Sequence, residues 1–403
     1  LLLVAAATWL LYPAREPAAP KFVLVRPFVG LGLDSENSWI GDALTQQFIA
    51  SLSETKTLRV LPWSTSLAIR DQRTSIQELG KRFDVEAILE GSVRRDGSRL
   101  QISAQLVDTA TERTLWSHRD EREAGELGRI EAGVFQAMAS ALKLRLSSGS
   151  SIAARVPPAD FETYRLCLKS LVQADQFAGK SVQAAVEGFE EVVRCAPGYS
   201  PALANLANAL VLNAFSPKLD REAPLLRAQR VAEQAIALDP TLAEALSALA
   251  HAYFHQWQWK QTEHSFGTAL SLDPNSSMTL QLFAIYVGTQ GRNEEALRHI
   301  DRAVQLAPTS APIQYTRGNV LFHGGQSELA IAAARQALDL DRASAMPYTL
   351  VTRACAQQGK IKEAQQVLED QERMRPSPNT AVWQGNLLAL SGQKHQAASI
   401  LKS

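Results

Sequence analysis

With 403 residues, 46% of them hydrophobic, the chain is long enough for two or three domains with real cores, which excludes a disordered or fibrous polymer. Its 41 basic side chains balance 41 acidic ones, so no net field draws it to nucleic acid or to an anionic bilayer. The cysteines Cys167, Cys195 and Cys355 form no CxxC pair and no disulfide framework. Cys167 and Cys195 fall on opposite helices of one predicted unit; burial as small apolar side chains is expected for them, with pairing only in an oxidising compartment.

In chain order, residues 1–12 (LLLVAAATWLLY) carry no charge. Twelve apolar residues are too few for a span that needs about 20, so the run is expected to be a truncated transmembrane helix, with Trp9 and Tyr12 at the interfacial belt. A signal-peptide core is the alternative, with Ala18-Ala19 as a weak cleavage site. Residues 13–20 (PAREPAAP) form a Pro/Ala linker that cannot continue a helix.

Residues 21–146 are expected to form one α/β sandwich, helices covering a mixed sheet. Lys21–Phe28 is a β-rich run ending in a loop with Gly30 and Gly32. Those glycines fit neither G-x-G-x-x-G nor a P-loop with its lysine, so no nucleotide site is expected. Ile40, Leu44, Phe48 and Leu52 recur every four residues as one face of a helix. Residues 58–61 (LRVL) follow as a strand, then Ser75 and Glu78 make a capping box ahead of a second helix. Across Asp96-Gly97, AILEGSVRR and SRLQISAQLVD read as a hairpin with a type I′ turn, Leu100, Ile102, Ala104 and Leu106 facing inward. A third strand is expected around Arg113–His118. Leu127, Ile130, Val134, Met138 and Leu142 then mark a closing helix.

The segments DSENSWIGDALTQQFIASLS, RVLPWSTSLA and IQELGKRFDVEAILEGSVRRDGSRLQISAQLVDTATERTLWS together resemble the TolB-like (FlgO-like) amino-terminal domain of bacterial signalling proteins, most specifically at Val85–Asp108 and Leu115-Trp116. That resemblance implies an α/β fold and carries no catalytic residue with it.

After a linker at 147–158, residues 159–403 are organised by a proline ruler. Pro197, Pro240, Pro274, Pro308 and Pro376 are spaced by 43, 34, 34 and 68 residues, with Arg342 at the skipped position. A period of 34 is that of the tetratricopeptide repeat (TPR), a helix pair whose apolar faces are buried only by stacking on neighbours. Small residues at Ala250, Ala284 and Gly318, large ones at Phe266 and Ile300, and turn glycines at Gly291, Gly325 and Gly359 keep the same phase. The reading is six units and a partial seventh from about Asn379, forming an all-α superhelix, with nine extra residues in the loop Ser216–Arg221 of the second unit.

The sequence carries no G-x-S-x-G, no nucleophilic cysteine with a partner and no isolated carboxylate pair, so no enzyme activity, cofactor or metal is expected. His251 and His255 stand one helical turn apart, but Ala252 occupies the place where a zinc protease needs Glu. By repeat phase, the concave face is expected to present His251, His255, Gln281, Thr289, Asn319, His323, Arg353 and Gln357 to a peptide or protein partner. Only Asn319 and Arg353 echo the basic clamp with which some TPR proteins hold a terminal carboxylate.

The order of anchor, linker, TolB-like domain and TPR array resembles membrane-bound winged-helix transcriptional regulators. That resemblance implies a non-enzymatic sensing and interaction region, residues 13–403 lying outside the cytoplasm, with the DNA-binding domain absent from this chain. No direct nucleic-acid contact is expected; membrane attachment runs through the amino-terminal helix, and self-association is open. The alternatives are the regulatory tail of a nucleotide cyclase or serine/threonine kinase, or an envelope scaffold.

Overall fold

The computed structural model describes residues 20–33, 40–53, 58–70, 74–123, 126–141, 160–174, 179–214, 221–342, 344–374 and 378–402. The expected truncated helix at 1–12, nearly all of the linker at 13–20, the linker at 147–158, Leu142 and Pro376 lie outside them. Among the described residues, no helix is long and apolar enough to cross a membrane. The chain divides into two compact units: residues 62–68 group with the later part of the chain, and the rest of the region up to 148 forms the other unit.

The first unit is built on one mixed sheet. Its strands are β1 (Phe22–Val25), β2 (Val29–Leu31), β3 (Arg59–Val60), β4 (Ala87–Asp96), β5 (Arg99–Asp108) and β6 (Thr114–Glu123). Their order is β3-β1-β4-β5-β6; β1 is parallel to both β3 and β4, whereas β4, β5 and β6 run antiparallel. Where the sequence suggested only a glycine loop, Val29–Leu31 pairs in parallel with Ser92–Arg94. The third hairpin strand runs five residues beyond the expected His118, to Glu123.

Two helices cover one face of the sheet. Helix α1 (Ile40–Ser53) buries Ile40, Leu44, Phe48 and Leu52, each at 1% exposure or less, and stacks Phe48 on Phe28. The helix at Leu127–Ala141, α4, buries Val134 and Met138. A short helix α2 spans Trp63–Ala68. On the other face, α3 (Ile76–Phe83) packs Leu79 and Phe83 against Phe22, Leu24 and Ile88. Its capping box forms as the sequence suggests: the Glu78 amide donates to Ser75 Oγ, and the Glu78 carboxylate accepts from the Ser75 amide.

The β4–β5 hairpin corrects the turn. Asp96 pairs directly with Arg99, so the two-residue loop is Gly97-Ser98. Gly97, at φ +60°, is the one loop residue in the left-handed region. Positive φ at the first central position alone is the type II′ pattern rather than I′.

The second unit is a stack of helix pairs: α5 (Phe161–Ala174) with α6 (Gly179–Cys195), α7 (Ser200–Asn213) with α8 (Glu222–Leu238), and α9 (Ala243–His255) with α10 (Trp259–Leu272). Next come α11 (Ser277–Thr289) with α12 (Asn293–Leu306), α13 (Ala311–His323) with α14 (Ser327–Leu340), α15 (Ala345–Gln357) with α16 (Ile361–Met374), and α17 (Pro378–Leu390) with α18 (Lys394–Lys402). The small residues Ala250, Ala284 and Ala296 have no exposure, so the helices meet at near-backbone distance there. At Gly318 an added Cβ would lie 2.9 Å from Leu350 Cδ2 and 3.1 Å from the Ala330 carbonyl oxygen, which explains glycine at that phase. The nine extra residues of the second pair are not all loop, because α8 has 17 residues where α10, α12 and α14 have 14.

The cysteines divide. Cys167 and Cys355 are buried, but Cys195 is exposed, and none of the three is in a disulfide. Cys195 is the last residue of α6, one turn beyond its Val192 core contact, so it does not serve as the small core residue expected.

Candidate functional site

The first helices of the pairs, α9, α11, α13 and α15, carry all eight residues that repeat phase assigned to a groove. The structure separates them into three environments.

His251 and His255 face each other with Nε2 atoms 3.1 Å apart. His251 is only 8% exposed and its Nδ1 has no partner. Burial, then the neighbouring His255, pushes His251 down to about 3; burial, then the Arg221 charge, pushes His255 down to about 4. Both rings are therefore neutral near pH 7. His251 is not open to a ligand, contrary to its expected groove position. Its helix α9 packs much more extensively on α7 than on α11. Among the described residues, no cluster of three or more His, Cys, Asp or Glu side chains is placed to hold a metal ion.

Gln281 and Thr289 satisfy the protein itself. Gln281 Nε2 donates to Thr316 Oγ1 at 2.9 Å and to the Pro312 carbonyl at 3.2 Å, tying α11 to α13. The Thr289 hydroxyl donates to the Tyr286 carbonyl at 2.7 Å, capping its own helix end.

The remaining four lie on α13 and α15, where the structure assembles a polar and aromatic patch. Asn319 Nδ2 donates to the Tyr315 hydroxyl at 3.0 Å, and Asn319 Oδ1 is buried without a partner. The Arg353 guanidinium lies 4.7 Å from the centroid of Phe322, a cation–π arrangement, and has no carboxylate partner among the described residues. Burial raises the Tyr315 hydroxyl, and the Arg353 charge opposes that rise. His323 is exposed beside Phe322, and exposed Gln357 accepts a hydrogen bond from Ser327 Oγ at 3.2 Å.

Tyr315 and Phe322 complete this patch but were not among the sequence-selected residues. The signal was present in the repeat frame: Tyr315 occupies the phase of Gln281, and Phe322 precedes His323 on the same helix. A cation with no carboxylate partner among the described residues, set against an aromatic ring, can hold a carboxylate or carbonyl oxygen of a peptide.

A tetratricopeptide-repeat family model matches residues 311–344, the pair α13–α14 that carries Tyr315, Asn319 and Phe322. The chain is 28% identical over 259 residues to the Rhizobium meliloti (strain 1021) protein named Putative adenylate cyclase 3. That match covers 63% of this chain and 43% of the relative, so the chain spans less than half of the relative's length. Among solved structures, the human IFIT1 dimer with m7Gppp-AAAA is similar in fold at a TM-score of 0.53, with 14% identity, over 69% of this chain and 68% of that one. Pseudomonas aeruginosa PilF is similar at a TM-score of 0.42 and 18% identity, over 50% of this chain and 90% of that one. The chain thus has a TPR protein-interaction region preceded by a small mixed-sheet domain, with distant homology to a cyclase-named protein.

Proposed function

We propose that this chain is the non-catalytic sensing and interaction region of a bacterial signalling protein, and that its α13–α15 face binds a peptide segment bearing a carboxylate. The observation that carries the reading is Arg353, which lies against the Phe322 ring with no carboxylate of its own among the described residues. A peptide carboxylate supplies the partner that the guanidinium lacks. The first unit is read as a TolB-like (FlgO-like) domain, on the segments from Val85 to Asp108 and at Leu115-Trp116.

The test is a peptide array of acidic and neutral decamers probed with the full chain, followed by titration of the best binder. Arg353→Ala should weaken it about tenfold, the scale of one charge-assisted hydrogen bond, with thermal melting unchanged. Undiminished binding by Arg353→Ala would place the peptide elsewhere.

Two effectors fit such a region, a winged-helix DNA-binding domain and a nucleotide cyclase. The likeness to the Rhizobium meliloti protein favours the cyclase. Coding sequence upstream of Leu1 separates them, by a cyclase metal-site pattern or a basic recognition helix. The apolar run at residues 1–12 supports attachment to a membrane, and the resemblance to membrane-bound winged-helix regulators supports residues 13–403 lying outside the cytoplasm; activity after Ser403 of a reporter that works only in the cytoplasm would overturn that topology.

A further inference from the structure

The sheet of the first unit has one face that its helices cover only in part. Helix α3 lies over Leu24 and Ile88 at the β1 side of that face. Past Ile88 the same face continues across β4, β5 and β6 with polar side chains, because alternate residues of a strand share a face. The register aligns them in two rows. Ser92, Ser103 and Arg119 stand directly opposite one another across the three strands, and Glu90, Gln105 and Ser117 form the next row. Arg26 and Arg70 wall the depression, whose volume is about 900 Å³. That lies within the usual range for small-molecule sites, about 300–1,000 Å³.

The charges of this depression do not cancel. Glu90 accepts a 2.7 Å hydrogen bond from Gln105 and lies 3.8 Å from Arg26, so its carboxylate is already matched. Glu121, further along the face, is held by Arg99 and Gln101. Arg70 is paired with Asp42. Arg119 has no carboxylate or other hydrogen-bond partner among the described residues, and neither do the hydroxyls of Ser92, Ser103 and Ser117. A strand face built only to be wet has no need of small hydroxyl side chains ringed by arginines. Serines leave the floor low, and the arginines supply its walls. One unmatched guanidinium above a floor of free hydroxyl groups is a recognition set for an oxyanion on a small molecule that also carries hydroxyl or further oxygen groups.

We propose that this depression on the β4–β5–β6 face binds a small organic anion, its carboxylate or phosphate held by Arg119 and its other oxygens by Ser92, Ser103 and Gln105. It is independent of the peptide face on α13–α15, so either can fail without the other.

The full 403-residue chain is titrated calorimetrically with succinate, glycerol 3-phosphate, inorganic phosphate and, as the neutral control, glycerol, all at matched ionic strength. Saturable binding of succinate or glycerol 3-phosphate, and none of glycerol, is expected; which of the two binds tells a carboxylate from a phosphate. Arg119→Gln should weaken it at least about tenfold and Ser103→Ala by less, with Arg119→Lys intermediate because the fork geometry is lost while the charge stays. Thermal melting of the unliganded variants should match the parent, since Arg119 is exposed and unpartnered. Absence of saturable binding by both organic anions, equal affinity in Arg119→Gln, or binding of inorganic phosphate alone overturns the proposal.

Discussion

Trp257 stands at the repeat position where Gly291, Gly325 and Gly359 make the turn between paired helices. Those glycines have φ of +77°, +77° and +73°, and Trp257 adopts the same left-handed region at +62° while 75% exposed. A side chain with a Cβ in that conformation costs about 1–2 kcal/mol. Its ring gains an edge contact with Trp259 at 5.3 Å, which offsets part of the strain. Comparing Trp257→Gly with Trp257→Ala isolates the backbone, because both lose the ring. Glycine should be the more stable by about 1 kcal/mol, the reverse of its usual deficit against alanine; equal denaturation midpoints would mean the left-handed turn is not maintained. The histidine pair predicts a pH effect. In the unfolded chain a histidine takes up its proton near pH 6.5, but native His255 and His251 wait until about 4 and about 3. Their contribution is therefore complete above pH 6.5 and lost as pH falls toward 4, with a slope of at most about 1.4 kcal/mol per pH unit for buried His251. Asp273 acts in the opposite sense. Burial, then Glu244, raises it to about 7, so its contribution is present in acid and lost as pH rises from about 4 to 7. Two histidines against one aspartate leave stability rising with pH between 4.5 and 6.5. In the double variant His251→Asn, His255→Asn the urea midpoint should rise less or fall over that range; a slope identical to the parent's would refute it.

At the scale of the element, what could be read from sequence followed from local periodicity. The stripe Ile40, Leu44, Phe48, Leu52 fixes α1 because four-residue spacing on a sheet-facing helix has one burial solution. Ser75 and Glu78 mark the start of α3 because a capping box satisfies two amides at once. The TPR pairs follow from a 34-residue recurrence of small residues where helices touch. The misses share a different cause. Strand β2 has only three residues, all exposed, and it exists through pairing with Ser92–Arg94, which no local pattern reveals. The hairpin slipped by one residue because Asp96-Gly97 and Gly97-Ser98 are both competent turn pairs, and the cross-strand register decides between them. At the proposed groove, repeat phase selected positions on α9, α11, α13 and α15. It could not show that His251 is buried, or that Tyr315 and Phe322 join Asn319 and Arg353, since both depend on spacing between helices. The Ser92–Ser103–Arg119 row was hidden for the same reason, because it runs across three strands.

Over the whole TPR unit, burial is uneven, and a stacked array transmits such differences because each pair is held mainly by its neighbours. A single apolar cluster runs from Cys167 on α5 to Ala252 on α9, and a second continues from Ala250 to Val320. Toward the carboxy-terminal end the interfaces change character. Thr352 stands at the phase of Ala250, Ala284 and Gly318, and Gln371 at that of Ala269, Ala303 and Ala337. Thr352 Oγ1, Gln371 Oε1 and Thr380 Oγ1 are all buried without partners. Each such atom costs about 1–3 kcal/mol relative to a satisfied or apolar group. Helix α18 is short and mostly exposed, with Ala397 the buried apolar side chain among its described positions. Amide exchange should therefore be slowest in α7–α12 and fastest in α17–α18, with α15–α16 between them, as local openings of decreasing free energy. Thr352→Ala should slow exchange in α15 and α16 by removing one unsatisfied hydroxyl at a contact where the other repeats place alanine or glycine. Exchange measured by mass spectrometry decides the point: uniform protection from α7 to α18, or an unchanged pattern in Thr352→Ala, would show that the buried polar atoms do not set the gradient.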